Sequence, residues 1–133
     1  MSARRPTDAD YARLLAFRTE LRRFVRWSEG AATAHGLTPA LHQLLLAVRG
    51  HDSPPGPTIG TIAEALLVRH HTAVELAQRA ERAGLLERCR DEQDHRRVHL
   101  RLTERGASAL EALSVLHLRN IAPLAQRLEG LAG

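Results

Sequence analysis

Residues 58–103 read TIGTIAEALLVRHHTAVELAQRAERAGLLERCRDEQDHRRVHLRLT, and this stretch decides the fold. Thr58 can cap a short helix that carries Ile59, Ile62, Ala63 and Leu66 on one side, at the three-and-four spacing of an amphipathic helix. After a brief break a second helix carries Ala73, Leu76, Ala77 and Ala80. Those small residues let two helices approach closely, and Gly84 can supply a left-handed C-cap. The period then changes. Val98, Leu100 and Leu102 alternate with polar His99 and Arg101, which predicts a half-buried strand. Leu86 to Arg90 is its antiparallel partner. Asp91 to Arg97, polar throughout, is the hairpin tip between them.

Two short helices followed by a two-stranded ribbon predict a winged helix-turn-helix. Upstream, Thr7 or Asp8 opens a long helix in which Leu14, Phe17, Leu21 and Phe24 form one stripe, widened by Tyr11, Leu15, Val25 and Trp27. Gly36 ends it. Thr38-Pro39 starts another helix, with Leu41, Leu44, Leu45 and Val48 on its buried face. The Pro- and Gly-rich residues 50–57 form a loop. Downstream, Thr103 and Glu104 open a last helix whose Leu110, Leu113, His117, Ile121, Leu124, Leu128 and Leu131 track one seam. Pro123 is expected to interrupt or kink it, with Asn120 recapping a second piece. The expected architecture is mainly α with a small β-wing: one domain over 1–133, its winged helix at 38–103, flanked by long helices at 8–34 and 104–131.

Composition narrows the partners. The chain has 133 residues, 44% of them hydrophobic, which suits one folded core. Its net charge of +4 comes from 19 basic residues, all arginine, against 15 acidic ones. That balance favours a polyanionic partner, although it does not by itself separate nucleic acid from an anionic membrane. The single cysteine, Cys89, excludes an internal disulfide and is expected to be a small buried hydrophobe. No signal peptide and no membrane-spanning run is expected, so the reading is cytoplasmic, with no membrane partner.

The segment from Thr58-Ile-Gly-Thr-Ile-Ala-Glu-Ala-Leu through Thr72 to Gly84-Leu85-Leu86-Glu87-Arg88 resembles the MarR family of bacterial regulators. So do Asp91-x-x-Asp94-x-Arg96 and Leu102-Thr103-x-x-Gly106, which carry the most specific part of the likeness. The resemblance implies a sequence-specific, DNA-binding transcriptional regulator, a ligand-responsive repressor acting on a pseudo-palindromic operator as a homodimer. It assigns dimerisation to helices 8–34 and 104–131. It places Thr72 near the start of the recognition helix, with His70, His71, Glu75, Gln78 and Arg79 facing DNA or its flanks. Arg96 matches the wing arginine that probes the minor groove, and Asp94 the acid that holds it. Thr58 and Arg69, at the two helix starts, and Arg97 in the wing complete the expected double-stranded DNA contacts. Two residues depart from the family pattern: Glu75 stands where Arg is common, and Leu67 where a small turn residue is usual. The sequence stops at Gly133, where many relatives carry a further helix, which leaves the usual dimer open.

Each sharp reading has a bland counterpart. Arg96 and Arg97 could be solvated wing charges, and His70-His71 an ordinary surface pair. Adjacent histidines on a helix point about 100° apart and chelate poorly, so no metal site or cofactor is expected. His117 interrupts an apolar seam. It reads either as a satisfied interface histidine or, with Trp27, as part of an effector pocket. No nucleotide-binding glycine loop, nucleophile elbow or carboxylate pair suggests an enzyme, and no catalytic residue is assigned. The competing class is a winged helix used for protein interaction or architecture without specific DNA readout.

Overall fold

The computed structural model describes residues 4–51 and 54–133. Five helices and one hairpin follow in order: α1 (Asp8–Ala34), α2 (Pro39–Gly50), α3 (Ile59–Leu66), α4 (His70–Arg82), β1 (Leu86–Arg90), β2 (Val98–Leu102) and α5 (Glu104–Gly130). Four starts are threonine caps. The hydroxyls of Thr7, Thr38, Thr58 and Thr103 each accept the amide three residues on. The antiparallel ladder pairs Leu86 with Leu102 and Arg90 with Val98, in the register the alternation requires.

Three helices end in the same way. Gly36 (φ 77°) and Gly84 (φ 75°) turn left-handed, and the next amide reaches back: Leu37 N–H to the Ala32 carbonyl and Leu85 N–H to the Ala80 carbonyl. Both following leucines are buried in one cluster with Ala32, Leu45, Leu110 and Leu113, so these turns aim side chains into the α1–α5 base. At the end of α3 the Val68 amide likewise bonds the Ala63 carbonyl, and Val68 packs on the other cluster. There, however, the left-handed position is filled by Leu67, at φ 55° and 92% exposed.

The larger cluster joins α2, α3, α4 and the hairpin through Leu44, Val48, Ile62, Leu76, Leu86 and Leu100. The loop before α3 adds to the sheet. The Pro57 carbonyl accepts the Leu100 amide at 2.8 Å, and Thr58 bridges to His99. At the other end of the ladder, Thr103 donates its hydroxyl to the Gly84 carbonyl at 2.7 Å. A Cβ on buried Gly106 would overlap the Leu85 carbonyl, so the start of α5 lies directly on the α4–β1 junction.

Several expectations are corrected. Pro123 does not end the last helix; α5 runs through it, and Asn120 donates its side-chain amide to the Leu116 carbonyl instead of recapping. The seam of α5 is fully buried only at Leu110 and Leu113, while Ile121 is exposed. On α1, Tyr11, Leu14, Leu15, Phe17 and Val25 are also exposed, because none of the described residues covers them. Trp27, which widens the expected apolar stripe of α1, is 38% exposed and so is not core within one chain. His99 is buried rather than facing solvent, because residues 56–58 cover its side of β2. Cys89 is only half-buried.

Candidate nucleic-acid interface

Helix α4 presents its polar side to solvent because four apolar positions anchor the other. Ala73, Leu76, Ala77 and Ala80 are buried. At 100° per residue the direction opposite them is occupied by His71, Glu75, Gln78 and Arg82, all exposed. Half-buried Thr72 and exposed Arg79 flank this row. Of the expected DNA-facing residues, His71, Glu75 and Gln78 therefore share one outward surface, with Thr72 and Arg79 at its margin, while His70 is exposed at the start of the helix but turned away from that row. Arg82 belongs to the same row and was missed by the sequence reading; continuing the heptad-like spacing from Glu75 would have found it.

The two helix starts differ. Thr58 spends its hydroxyl on the Thr61 amide at 3.3 Å, so its side chain serves α3 first. Arg69 is the N-cap of α4 and makes no capping bond with its side chain. The first-turn amides of α4 point out of the helix beside an exposed guanidinium, an arrangement suited to an anion. Glu81, at the far end of α4, accepts Arg88 of β1 at 3.0 Å and ties the hairpin to this helix.

The wing tip is organised by two aspartates. Asp91 Oδ1 accepts the Gln93 amide at 2.8 Å and the Asp94 amide at 3.2 Å, an Asx turn at the end of β1. Asp94 Oδ1 accepts both the backbone amide of Arg96 at 3.1 Å and its Nε at 3.3 Å. The Arg96 guanidinium is thus steered at its base, yet its side chain is 92% exposed. Arg97 is exposed and donates its backbone amide to the Asp94 carbonyl. The Asp91 carboxyl is held down at about 2, first by the His99 ring and then by the two amides. Asp91 was not among the expected site residues. The acid followed by polar residues at a strand end was the available signal.

Away from the head, Trp27 and His117 do come together, with ring centroids 4.7 Å apart. His117 Nδ1 faces the Leu113 carbonyl at 2.8 Å and Nε2 faces the Ser28 hydroxyl at 2.7 Å. In the neutral ring Nδ1–H donates to the carbonyl and the serine O–H donates to Nε2. His42 of α2 lies 4.9 Å from His117 and is 3% exposed, with no partner for Nδ1 among the described residues. Burial lowers the basicity of His42, and His117 adds to the effect. The two histidine rings, with Phe24, Leu46, Leu118 and Ile121, line a largely apolar cavity of about 280 Å³ between α1, α2 and α5, and Trp27 stands outside that lining. Ser28 and His42 were not expected here; only tertiary packing brings them to His117. Among the described residues no group of three or more His, Cys, Asp or Glu could hold a metal ion. No helix is long and apolar enough to cross a membrane.

Two packed helices, an outward α4 surface and a paired wing with an Asp-steered arginine together make up the head. A model of the MarR family matches residues 35–97, from the end of α1 through the wing tip. The winged-helix region of the chain matches the MarR family. Among solved structures, the chain is similar to a point mutant of MepR from Staphylococcus aureus bound to an oligodeoxyribonucleotide, at 26% identity and a TM-score of 0.69, covering 87% of this chain and 82% of that one. It is also similar to MepR itself, a transcription regulator of the S. aureus multidrug efflux pump MepA. That match has 25% identity and a TM-score of 0.72, over 84% of this chain and 81% of that one. AbsC, a MarR family regulator from Streptomyces coelicolor, shares the fold over 98% of this chain and 86% of its own, with a TM-score of 0.75 and 20% identity. No curated protein matches the sequence. The flanking helices α1 and α5 lie outside the family-model match, and the structural match to AbsC, over 98% of this chain, extends over them.

Proposed function

We propose that this protein is a MarR-family regulator that binds double-stranded DNA sequence-specifically as a cytoplasmic homodimer and represses transcription until a small-molecule effector releases it. The observation that carries the reading is the outward row of α4 beside a wing whose arginine is exposed but steered by Asp94. In this reading α4 enters the major groove, where each base pair shows a distinct pattern. Thr58, Arg69, His70, His71 and Arg79 hold phosphates or flank them. Thr72, Glu75 and Gln78 meet base edges, and Arg82 extends that row. Arg96, with Arg97 beside it, enters the minor groove, where negative potential attracts arginine.

The dimer is supported by the apolar side chains that one chain leaves uncovered on α1 and α5, among them Leu14, Leu15, Leu118 and Ile121. Two-fold symmetry then sets two half-sites about one helical turn, roughly 10 bp, apart. The cavity between α1, α2 and α5, with Trp27 beside it at His117, is the place for the effector. It lies against the same helices that would fix the spacing of the two heads.

The test is fluorescence anisotropy with a labelled duplex from upstream of the protein's own coding sequence, against a scrambled duplex of equal length. Preferential binding at moderate salt is expected. Equal, weak binding to both would remove specific readout and leave an architectural or protein-interaction module. The carboxylate of Glu75 on the outward row favours that second reading, since it repels phosphate unless it meets a cytosine amino group.

A further inference from the structure

We propose that His99, held as the imidazolium, is a positioning residue for the wing, and that its proton couples DNA affinity to pH. This rests on the wing's proposed place in the minor groove. Nδ1 of His99 lies 2.8 Å from the Gly56 carbonyl, and Nε2 lies 2.9 Å from Asp91 Oδ2. Both facing atoms are acceptors. A neutral imidazole carries one N–H, so it can bond only one of them and must set a lone pair against the other. The doubly protonated ring donates to both. The His99 ring is 6% exposed, which leaves little room for water to replace a lost partner.

Each partner is fixed independently. Gly56 adopts φ 110°, and a Cβ there would stand 2.5 Å from the Leu100 carbonyl, so the loop lies against β2 as only glycine allows. Asp91 is committed through its other oxygen to the Gln93 and Asp94 amides. The ring therefore joins the loop that leads into α3 to the turn that leads into Asp94 and Arg96. Without the proton one of those two joints opens.

The surroundings favour the charged ring. Asp91 first, and then the Gly56 carbonyl, raise its basicity; burial and Arg97 oppose them. Cys89 is its partner across the ladder. From α2, which meets β2 through the apolar cluster, Arg49 lines a groove with Leu110 and Glu111 of α5, and His51 Nδ1 is spent on the Ala47 carbonyl. From α3, Glu64 faces solvent, as do Glu104 and Arg105 at the start of α5.

The decisive variant is D91N. It keeps an oxygen for the two turn amides and offers an N–H to the bare Nε2 of a neutral ring, so both joints survive without the proton. With the labelled upstream duplex, wild-type affinity should fall from about pH 6 to about pH 8.5 by roughly two- to tenfold more than that of D91N, the worth of one hydrogen bond. H99A should bind more weakly than wild type at the low end, and that deficit should shrink in an R96A background. His70, His71 and His95 are present in both wild type and D91N, so the comparison isolates the His99 joint. Superimposable profiles would overturn the proposal. If the protein binds no DNA, the regulator reading falls and the ring itself decides by ¹⁵N NMR. Two protonated His99 nitrogens at about pH 7 support the device, and a single bare nitrogen at about pH 6 ends it.

Discussion

The head and the base of this molecule solve the burial problem differently. In the head, α2, α3, α4 and the hairpin cover one another, and Leu44, Ile62 and Leu100 are fully buried. In the base, α1 and α5 meet along one side of each helix. The contact comprises the cluster around Ala32 and Leu113, the Ser28–His117 bond and the Glu20–Arg127 pair at 2.9 Å. On their other sides apolar residues face outward, among them Leu14, Leu15, Val25, Leu118 and Ile121. A head complete in itself and a base that is not are what a reader carried on a shared platform requires. One half must hold its shape on the nucleic acid, and the other must hold the partner.

The sharpest way to break this comparison is to damage each half and ask what fails. Leu100→Ala should cost about 2–5 kcal/mol in chemical denaturation, because it empties the centre of a closed cluster. Leu118→Glu, on the uncovered face of α5, should leave the unfolding of the isolated chain within about 0.5 kcal/mol. It should weaken self-association by on the order of 2 kcal/mol, read by analytical ultracentrifugation. If Leu118→Glu destabilises the monomer as Leu100→Ala does, the base is not open, and the distinction between the halves is lost.

Within the head, the next effect separates recognition from folding. Arg96→Ala should weaken binding to the upstream duplex by about 1–3 kcal/mol and leave the melting curve unchanged, since the side chain is 92% exposed and, among the described residues, bonds Asp94 alone. Binding that is unaffected would remove the wing from the interface and leave α4 as its sole reader. A smaller effect lies in the turn between α3 and α4. Leu67→Gly should stabilise the fold by about 1 kcal/mol, because it relieves a left-handed leucine that contacts solvent on nearly all sides. A loss of stability instead would mean that Leu67 makes a contact worth more than its backbone strain.

The parts of the fold that are legible in the sequence are those set by neighbours along the chain. Helix starts at Thr7, Thr38, Thr58 and Thr103, the turns at Gly36 and Gly84, and the strand alternation from Val98 to Leu102 all follow from local chemistry. The outward row of α4 was legible too, because its four inward residues are apolar or small. What was hidden depends on distant segments. The inversion of His99 requires the loop at Gly56 to fold over one side of β2, which no periodicity within β2 can report. The meeting of Ser28, His42 and His117 requires three helices to converge. The continuity of α5 through Pro123 shows that one missing amide bond is outweighed by the turns on either side of it.

Two buried histidines, one inside the head and one where α2 of the head meets the base, give the finest test, because they titrate with opposite sign. His99 is more basic in the fold, so it stabilises the head below its unfolded value near 6.5 and loses that contribution as pH rises through its higher folded value. Asp91, lowered from 3.8 to about 2, contributes above 3.8 and loses its contribution as pH falls toward 2. The pair therefore works best between about pH 4 and 6.5. His42 is less basic in the fold, so it favours folding above 6.5 and withdraws that contribution as pH falls toward its depressed folded value. Acidification from about pH 7 to 5.5 should strengthen the latch at the wing while it loads an unpartnered charge into the junction of α2 with α1 and α5. Removing each ring in turn should expose the two halves of this balance. Thermal melts of His99→Ala should lose stability relative to wild type mainly on the acid side, whereas His42→Leu should gain relative to wild type on that same side. Parallel pH curves for wild type and both variants would show that neither ring changes its proton affinity on folding.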